Sequence, residues 1–280
     1  MARKITSYYN NSEHASITEA CQLVIEISKH ELVCLVKGEA SQEIEGFEMF
    51  RLDKASRDWS DVFYDVRAAS QLLNRQYRDT HCYYNFEETV IVPKQRFTAS
   101  SAEDYLSLLY GDSDRYDIKY DTLLPSEEMI NAYRIKKSIN ELMGRHFVLY
   151  KPHHSYSKLL EDILTRTELA EHFMKVQFYS KHIIVAVVKE KQLQLIQSFA
   201  YETTEDVLYH LIHISRQFGF DASISHLEIS GMFETGSSLH KQIQALFGLI
   251  TFDGMQPNGV FKLTHDHPAH YFTPFYKLVV

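Results

Sequence analysis

A Ser-Lys-His tripeptide occurs at two places in the chain, as Ser28-Lys29-His30 and as Ser180-Lys181-His182. Each copy stands between a strand-like segment and a continuous apolar run, which predicts a turn between two paired strands. Lysine and histidine side chains presented by such a turn can bind an anion. Polar residues are equally typical of an ordinary hairpin turn, so both interpretations stay open.

A second candidate is the segment from Gly231 to Ser238, which has the Gly-x-x-x-x-Gly spacing of a phosphate-binding loop. Serine stands where that motif requires lysine, so the main charge contact to a phosphate is missing. We therefore expect Gly231 and Gly236 to serve a turn and the start of a helix.

Histidines near the end of the chain form a third candidate, with His265, His267 and His270 around Asp266. Histidine and aspartate at such spacing can bind a divalent metal. No His-Glu-x-x-His helix accompanies them, and neighbouring prolines favour a loop. We predict no metal here and keep the histidine site as the weaker alternative.

The elements that carry these residues form a repeated pattern. Residues 22–37 (QLVIEISKHELVCLVK) and 174–189 (MKVQFYSKHIIVAVVK) each predict two strands joined by the tripeptide turn. A third strand and an amphipathic helix follow each pair, with apolar residues at the same spacing in both helices. The sequence thus predicts an α/β protein of two similar domains, each with a mixed sheet and flanking helices.

Later segments extend the repeat. Residues 90–92 match 227–229 as a fourth strand, and Ile118-Lys119-Tyr120-Asp121 matches Ile250-Thr251-Phe252-Asp253 as a fifth. We expect residues 1–128 to form the first domain, 129–170 a helical connector, and 171–280 the second domain. The apolar, aromatic stretch 271–280 is interpreted as packed on the second domain rather than as a docking segment for a partner.

Composition excludes several functions. The 280 residues carry a net charge of −8 and scattered lysine and arginine, so nothing favours nucleic acid binding. Three cysteines without a Cys-x-x-Cys pair are typical of a reducing compartment. The longest apolar runs, about six residues, are too short to span a bilayer. The sequence therefore predicts a cytoplasmic protein without a transmembrane segment.

The order of elements, duplicated in one chain, resembles the actin-like ATPase superfamily, which includes sugar kinases and heat-shock chaperone ATPases. The second half, with Leu227-Glu228-Ile229-Ser230-Gly231-Met232 before a helix, is similar to the adenosine motif of the pilus-assembly protein PilM and its relatives. The chain also resembles an uncharacterised bacterial family of this fold. The resemblance implies two actin-like (ribonuclease H-like) domains with mixed five-stranded sheets.

Departures from the superfamily bear on function. Its active members carry Asp-x-Gly at the first hairpin, where this chain has Glu26 and Ser28. In the second half Phe178 replaces the acid and Ser180 the glycine. The adenosine motif keeps Gly231 between Ser230 and Met232. Because all three motifs are altered, the resemblance implies a protein without efficient ATP hydrolysis.

Two functions remain open. The first is a noncatalytic scaffold or interaction module that needs no cofactor and binds an unidentified protein, which could link it to a membrane complex. The two tripeptide turns and Ser230-Gly231-Met232 would then line an anion-binding cleft between the lobes. The alternative is an ATP- and magnesium-dependent phosphotransferase or hydrolase, with Glu26 as metal ligand and Lys29 and Lys181 on the phosphates.

Overall fold

The computed structural model describes residues 2–10, 16–52, 58–222, 225–255, 259–264 and 266–279. Its strands are β1 Ala2–Tyr9, β2 Gln22–Ser28, β3 Glu31–Lys37, β4 Ile44–Leu52, β5 Asp79–Asn85, β6 Thr89–Pro93, β7 Tyr116–Thr122, β8 Met129–Lys136, β9 Lys151–His154, β10 His172–Phe178, β11 His182–Lys189, β12 Gln192–Ala200, β13 His226–Gly231 and β14 Leu249–Phe252. Its helices are α1 Trp59–Ala69, α2 Ser101–Tyr110, α3 Lys137–His146, α4 Ser155–Leu164, α5 Thr204–Gln217, α6 Ser238–Leu246 and α7 Thr273–Tyr276. The α/β class expected from the sequence is confirmed.

The chain divides into two compact units. Unit 1 contains Met1–Glu161, Pro257–His265 and Leu278–Val280, and unit 2 contains Asp162–Gln256 and Asp266–Lys277. Among the described residues, no helix has both the length and the apolar character needed to cross a bilayer.

Unit 1 is built on a six-stranded sheet in the order β1-β4-β3-β2-β5-β9. The strands from β1 to β2 are antiparallel, whereas β5 and β9 run parallel to β2. The apolar faces of α1 and α3 pack on one side of this sheet through Phe63, Val66, Ile139 and Met143. The sheet has one strand more than expected, because residues 2–9 pair with the outer edge of β4.

A smaller antiparallel sheet in unit 1 has the order β6-β8-β7 and is packed by α2. This finding corrects two of the sequence matches. Residues 90–92 and 118–121 belong to β6 and β7 of the small sheet, so they are not the fourth and fifth strands of the main sheet. Those places are taken by β5 and β9, both parallel to β2. The small sheet and α2 are therefore an insertion between β5 and α3.

The segment 129–170, predicted as a helical connector, contains the helices α3 and α4 but also the strands β8 and β9. Residues of β8 are buried on both faces from Ile130 to Ile135. Because a strand buried on both faces shows no alternation of apolar and polar residues, its pattern resembles that of a buried helix. A purely helical connector is thus wrong for this segment.

Unit 2 is built on a five-stranded mixed sheet in the order β12-β11-β10-β13-β14. Its connections repeat those of β2, β3, β4, α1, β5, α3 and β9 without the insertion. The core lies between the sheet and α5 and α6, with Val207, Leu211, Ile214 and Ile243 buried against β10, β11 and β13. The five-stranded sheet predicted for the second half is confirmed.

Six charged residues form an ion cluster in unit 2: Asp162, Arg166, Lys175, Glu228, Asp253 and Lys277. Lys175 lies at its centre with a fully buried side chain, and its Nζ is 2.6 Å from Glu228 Oε1 and also bonds Asp253. Burial lowers the pKa of Lys175 and both acids oppose that shift. The cluster contains three positive and three negative charges. Each charged group therefore has an opposite charge beside it, which offsets the free-energy cost of removing it from water.

The C-terminal aromatic stretch is core rather than an exposed patch. Phe275 in α7 is fully buried and packs edge-on against Tyr179 in unit 2. Leu278 and Val279 are also buried and belong to unit 1. The prediction of packing on the second domain therefore holds for 271–277.

Candidate functional site

The first tripeptide turn is closed by its own serine. Ser28 is buried at the end of β2, and its Oγ accepts hydrogen bonds from the backbone amides of Glu31 at 2.9 Å and His30 at 3.2 Å. The same hydroxyl donates to the carbonyl of Glu31. A glycine at this position would leave those amides exposed to a phosphate, whereas the serine side chain occupies them.

Glu26 lies two residues earlier on β2 and is 3% exposed. Its Oε1 accepts a hydrogen bond from Ser155 Oγ at 2.7 Å, at the start of α4. Asn85 Nδ2, at the end of β5, is 3.4 Å from the same oxygen. The carboxylate is thus held by neighbouring side chains within unit 1.

Lys29 is the exposed member of this turn, and it lines a pocket. The pocket is open to solvent and lies entirely in unit 1. Its lining residues, from the β2–β3 turn, α1, the β5–β6 loop, β7 and β8, are Lys29, Trp59, Phe86, Glu87, Glu88, Tyr116, Arg134 and Lys136. We call it the unit 1 pocket.

Arg134 is the most buried charged residue of the unit 1 pocket, at 7% exposure. Its guanidinium pairs with Glu88 and donates to the carbonyls of Gly111 at 2.8 Å and Tyr110 at 3.1 Å. Its Cζ atom lies 4.6 Å from the ring centroid of Tyr116, within the range of a cation–π contact. With all these contacts made, Arg134 supports the wall of the pocket and is not available as a new anion ligand.

The two lysines of the unit 1 pocket differ in whether a carboxylate pairs with them. Lys29 Nζ pairs with Glu87 at 2.8 Å, with both side chains about half exposed. Lys136 is exposed at the end of β8, and no described carboxylate lies within ion-pair distance of its Nζ. Trp59 and Phe86 pack edge to face at 6.4 Å. The pocket therefore combines aromatic walls with one positive charge, on Lys136, that no carboxylate of the described residues compensates.

The second tripeptide turn has a different environment. Lys181 is exposed, and its carbonyl accepts from the amide of Tyr201. His182 is buried, with its ring stacked on Tyr179 at 4.6 Å. Ser180 is half-buried, and the amide of Tyr179 donates to the carbonyl of His182, as in an ordinary hairpin.

The turn after β13 is packed against β10. Gly231 has φ +91°, and a Cβ there would lie 2.1 Å from the carbonyl oxygen of Phe178. Its amide donates to the carbonyl of His270, and the amide of Met232 donates to that of Phe178. Ser230 is buried, and its Oγ has no hydrogen-bond partner among the described residues. The three candidates Ser230, Gly231 and Met232 are thus structural parts of this packing.

Aromatic rings fill the space between β13, β14 and the start of α6. Phe233 contacts Phe178 at 4.9 Å, Phe252 at 6.0 Å and His240 at 5.6 Å. His270 stacks on Phe252 at 4.6 Å, and its Nε2 bonds the carbonyl of Phe233. This aromatic cluster occupies the place of the adenosine motif in the sequence resemblance.

The helix start after Gly236 has the role expected from the sequence. Ser237 caps α6, since its Oγ accepts from the amide of His240. Gly236 has φ +82° with open space around it, and its amide donates to His240 Nδ1.

The C-terminal histidines do not form a metal centre among the described residues. His267 stacks on Tyr271 at 4.3 Å, and His270 is held by Phe233 and Phe252. His265 lies outside the described residues. Aromatic packing therefore explains the two histidines that can be placed.

Sequence reasoning identified Lys29 but missed the other residues of the unit 1 pocket. Arg134 and Lys136 lie on β8, in the segment interpreted as helical, and Tyr116 begins a strand that was matched to the wrong sheet. These residues come together because β7 and β8 pair in a sheet of their own. No local sequence pattern predicts that pairing.

Comparison with known proteins supports the fold. A protein with actin-like ATPase fold and unknown function from Bacteroides thetaiotaomicron VPI-5482 is 16% identical, with 93% of this chain and 96% of that chain covered and a TM-score of 0.77. A PilM-PilN type IV pilus biogenesis complex gives 10% identity, 94% and 96% coverage and a TM-score of 0.53. The chain thus has the actin-like ATPase fold suspected from its sequence.

A search of curated proteins finds no match to this chain. A protein-family model does match, over residues 10–249, and it is described as protein of unknown function (DUF3822). Because the matched residues cover most of the 280 in the chain, this protein belongs to the DUF3822 family.

Proposed function

We propose that this protein is an actin-like interaction module that does not hydrolyse ATP. The observation that supports it most directly is the closed first turn, where Ser28 Oγ binds the amides that a phosphate loop would present. Catalysis of phosphoryl transfer depends on positioned amides, cations and a metal around the phosphates. In this chain the amides that would bind a phosphate at the first turn are occupied by Ser28 Oγ instead.

Unit 2 supports the same proposal by itself. The amides of Gly231, Met232 and Phe233 are all bonded to carbonyls within the unit. The aromatic cluster occupies the region where the resemblance would place an adenosine. A nucleotide at this position would have to displace packed rings, which costs the apolar contacts that they make.

A titration with Mg-ATP tests this part of the proposal. We expect the melting temperature of the full chain to stay unchanged up to millimolar Mg-ATP, because a ligand that does not bind the native state cannot stabilise it. Phosphate release is measured in the same samples. A melting temperature that rises with nucleotide concentration would contradict the proposal and favour the ATP-dependent alternative with Glu26, Lys29 and Lys181.

The partner, we infer, is an extended segment of another protein that binds in the unit 1 pocket. A solved structure of similar fold holds PilM together with PilN, which supports a function that depends on a protein partner. Trp59, Phe86 and Tyr116 provide walls for an aliphatic or aromatic side chain. Lys136 lacks a described counter-charge, so an acidic residue in the segment would complement it.

Selection from a display library of short peptides tests this inference. We expect enrichment of peptides that combine an acidic residue with a large apolar one. Lys136→Glu should weaken binding of a selected peptide about tenfold or more, because it reverses the complementary charge. Lys137→Glu is the matched control, since this exposed neighbour does not line the pocket. Equal loss in both variants, or no enrichment, would contradict the peptide site without affecting the nucleotide result.

A further inference from the structure

The outer edge of β12 is open in unit 2. This strand, at the end of the five-stranded sheet, pairs with β11 on one side only. The pairing is regular from Leu195 to Ala200 and has a bulge before it, at Gln194. Among the described residues, no backbone group outside the sheet bonds to the far side of β12. A row of outward amides and carbonyls is therefore available to a further strand.

Unit 1 shows how the equivalent edge is covered. In the shared order of elements β12 corresponds to β4, and β4 carries β1 along its outer edge. The eight residues Ala2–Tyr9 pair antiparallel with Gly46–Leu52. No described segment of unit 2 does the same for β12. The fold thus accepts an added antiparallel strand at this position, and within the described residues unit 1 supplies one and unit 2 does not.

Charge composition favours a second copy of β12 as that strand. Its nine residues, Gln-Leu-Gln-Leu-Ile-Gln-Ser-Phe-Ala, include no charged side chain and no proline. Edge strands that avoid pairing usually carry lysine or proline; β1 has Arg3 and Lys4, and β9 has Lys151. When two identical antiparallel strands pair about a twofold axis, residues equally far from the axis face each other. Because β12 has no charged side chain, no register of this pair brings like charges together.

Exposed aromatic residues on α5 enlarge the same surface. His210 on α5 contacts the β12 residue Phe199, with ring centroids 4.7 Å apart. Tyr209 is 64% exposed and lies against His210 and against His213, which is also exposed. Because strand pairing alone buries little area, a stable dimer needs such additional contacts beside the edge.

We propose that the protein forms a homodimer in which the β12 edges of two copies pair antiparallel, producing a continuous ten-stranded sheet with the α5 aromatic residues beside the junction. The inference is independent of the proposed function, because it depends on neither the unit 1 pocket nor the nucleotide positions.

Sedimentation equilibrium of the full chain tests the proposal. Wild type should be dimeric. Gln197→Lys should weaken dimerisation about tenfold or more, because Gln197 lies near the middle of the regular segment 195–200, and a twofold axis through that segment would place the two added lysines near each other. Gln244→Lys on α6 is the matched control; it is exposed, adds the same charge and lies away from the edge. A monomeric wild type, or equal dimerisation of the two variants, would overturn the proposal.

Hydrogen exchange identifies the surface that associates. We expect the amides of residues 195–200 to exchange more slowly as wild-type concentration rises, while those of Gln197→Lys stay fast. Circular dichroism spectra of the variants establish that both are folded. A dimer whose formation leaves exchange in β12 unchanged would use another surface and would equally overturn the proposal.

Discussion

Two glycines with similar backbone conformation differ in what surrounds them. Gly231 and Gly236 have φ values of +91° and +82°. A Cβ on Gly231 would meet the backbone of Phe178, which cannot move without breaking the pairing of β10 and β13. A Cβ on Gly236 would meet nothing within 4 Å. The first glycine is therefore required by packing and the second only by conformation.

Alanine substitutions separate these two requirements. Gly236→Ala should lower the free energy of unfolding by about 1 to 2 kcal/mol, the ordinary cost of a left-handed backbone. Gly231→Ala should cost roughly 3 kcal/mol or more, because a steric clash is added to the same backbone cost. Urea unfolding of both variants measures the difference. Equal losses would mean that the turn after β13 relaxes more easily than its contacts indicate.

At this scale, sequence inspection singled out residues without predicting the contacts that they make in the folded chain. It located Ser28 through its departure from a motif and Gly231 as the glycine that a motif retains. Ser28 Oγ bonds the turn amides in the folded hairpin, where this serine is buried. Burial is a property of the folded chain, so the motif alone could not reveal it.

At the scale of elements, a buried polar network joins the start of α4 to β7. Asp121 Oδ2 accepts from the amide of His154 at 2.8 Å and from Ser157 Oγ at 2.6 Å. Burial raises the pKa of Asp121 to about 6. His154 is neutral with a fixed tautomer, because Nδ1 accepts from the amide of Tyr156 and Nε2 donates to the carbonyl of Phe86. Burial lowers its pKa to about 3.

Because burial raises the pKa of Asp121 and lowers that of His154, the two groups change the free energy of unfolding in opposite directions as the pH falls. His154, and His153 with its pKa lowered by burial to about 4, contribute stability above pH 6.5 that is lost as the pH falls, since unfolding then takes up protons. Asp121 acts in the opposite sense between pH 6 and 4, because its folded carboxyl binds a proton first. Asp121→Asn should therefore make the loss of stability from pH 6 to 4 steeper, by about 1.4 kcal/mol per pH unit at most.

Urea unfolding at several pH values measures this slope. Asp117→Asn is a suitable control, because Asp117 lies on the same strand but its carboxylate accepts a hydrogen bond from Asn140 and not from the start of α4. The comparison uses the slope rather than the absolute stability, so any constant cost of either substitution cancels. A slope in Asp121→Asn no steeper than that of wild type would contradict the raised pKa of this carboxyl.

The ion cluster of unit 2 gives a second prediction at this scale. Lys175→Met leaves Glu228 and Asp253 facing a buried apolar side chain, so we expect a loss of about 3 to 5 kcal/mol. Arg145→Met removes an exposed pair with Glu141 and should cost no more than about 0.5 kcal/mol. Thermal unfolding compares the two. A small loss for Lys175→Met would show that Arg166 and Lys277 compensate for the missing charge.

The sequence predicted most elements of the two main sheets but failed at the insertion. The hairpins at 22–37 and 174–189 were found because their strands are consecutive in the chain. The pairing of β9 with β5 joins residues about seventy positions apart, across the small sheet. The sequence of a four-residue parallel strand contains no local pattern that identifies the strand it pairs with. The sequence comparison therefore assigned β7, instead of β9, as the fifth strand.

At the scale of the whole molecule, both units follow one order of strands and helices, although each modifies it. Unit 1 adds an edge strand and an inserted small sheet, and the unit 1 pocket lies where the insertion meets the main sheet. In the part of unit 2 that the structure describes, neither addition is present and the outer edge of β12 is open. The proposed partner site and the proposed dimer edge both lie where the two units differ, rather than in the arrangement that they share.

The path of the chain also decides how the gene can be divided. Unit 1 includes a segment that follows most of unit 2 in the sequence. In this segment Gly259 packs on the backbone of Ile44, and the ring centroid of Phe261 lies 5.5 Å from that of Phe47. A stop codon after residue 161 would remove these contacts and expose the face of β4 that they cover. Separate domains for genetic or biochemical dissection are therefore not obtained by a single cut. Unit 1 alone requires deletion of both 162–256 and 266–277, with short linkers that retain 257–265 and 278–280.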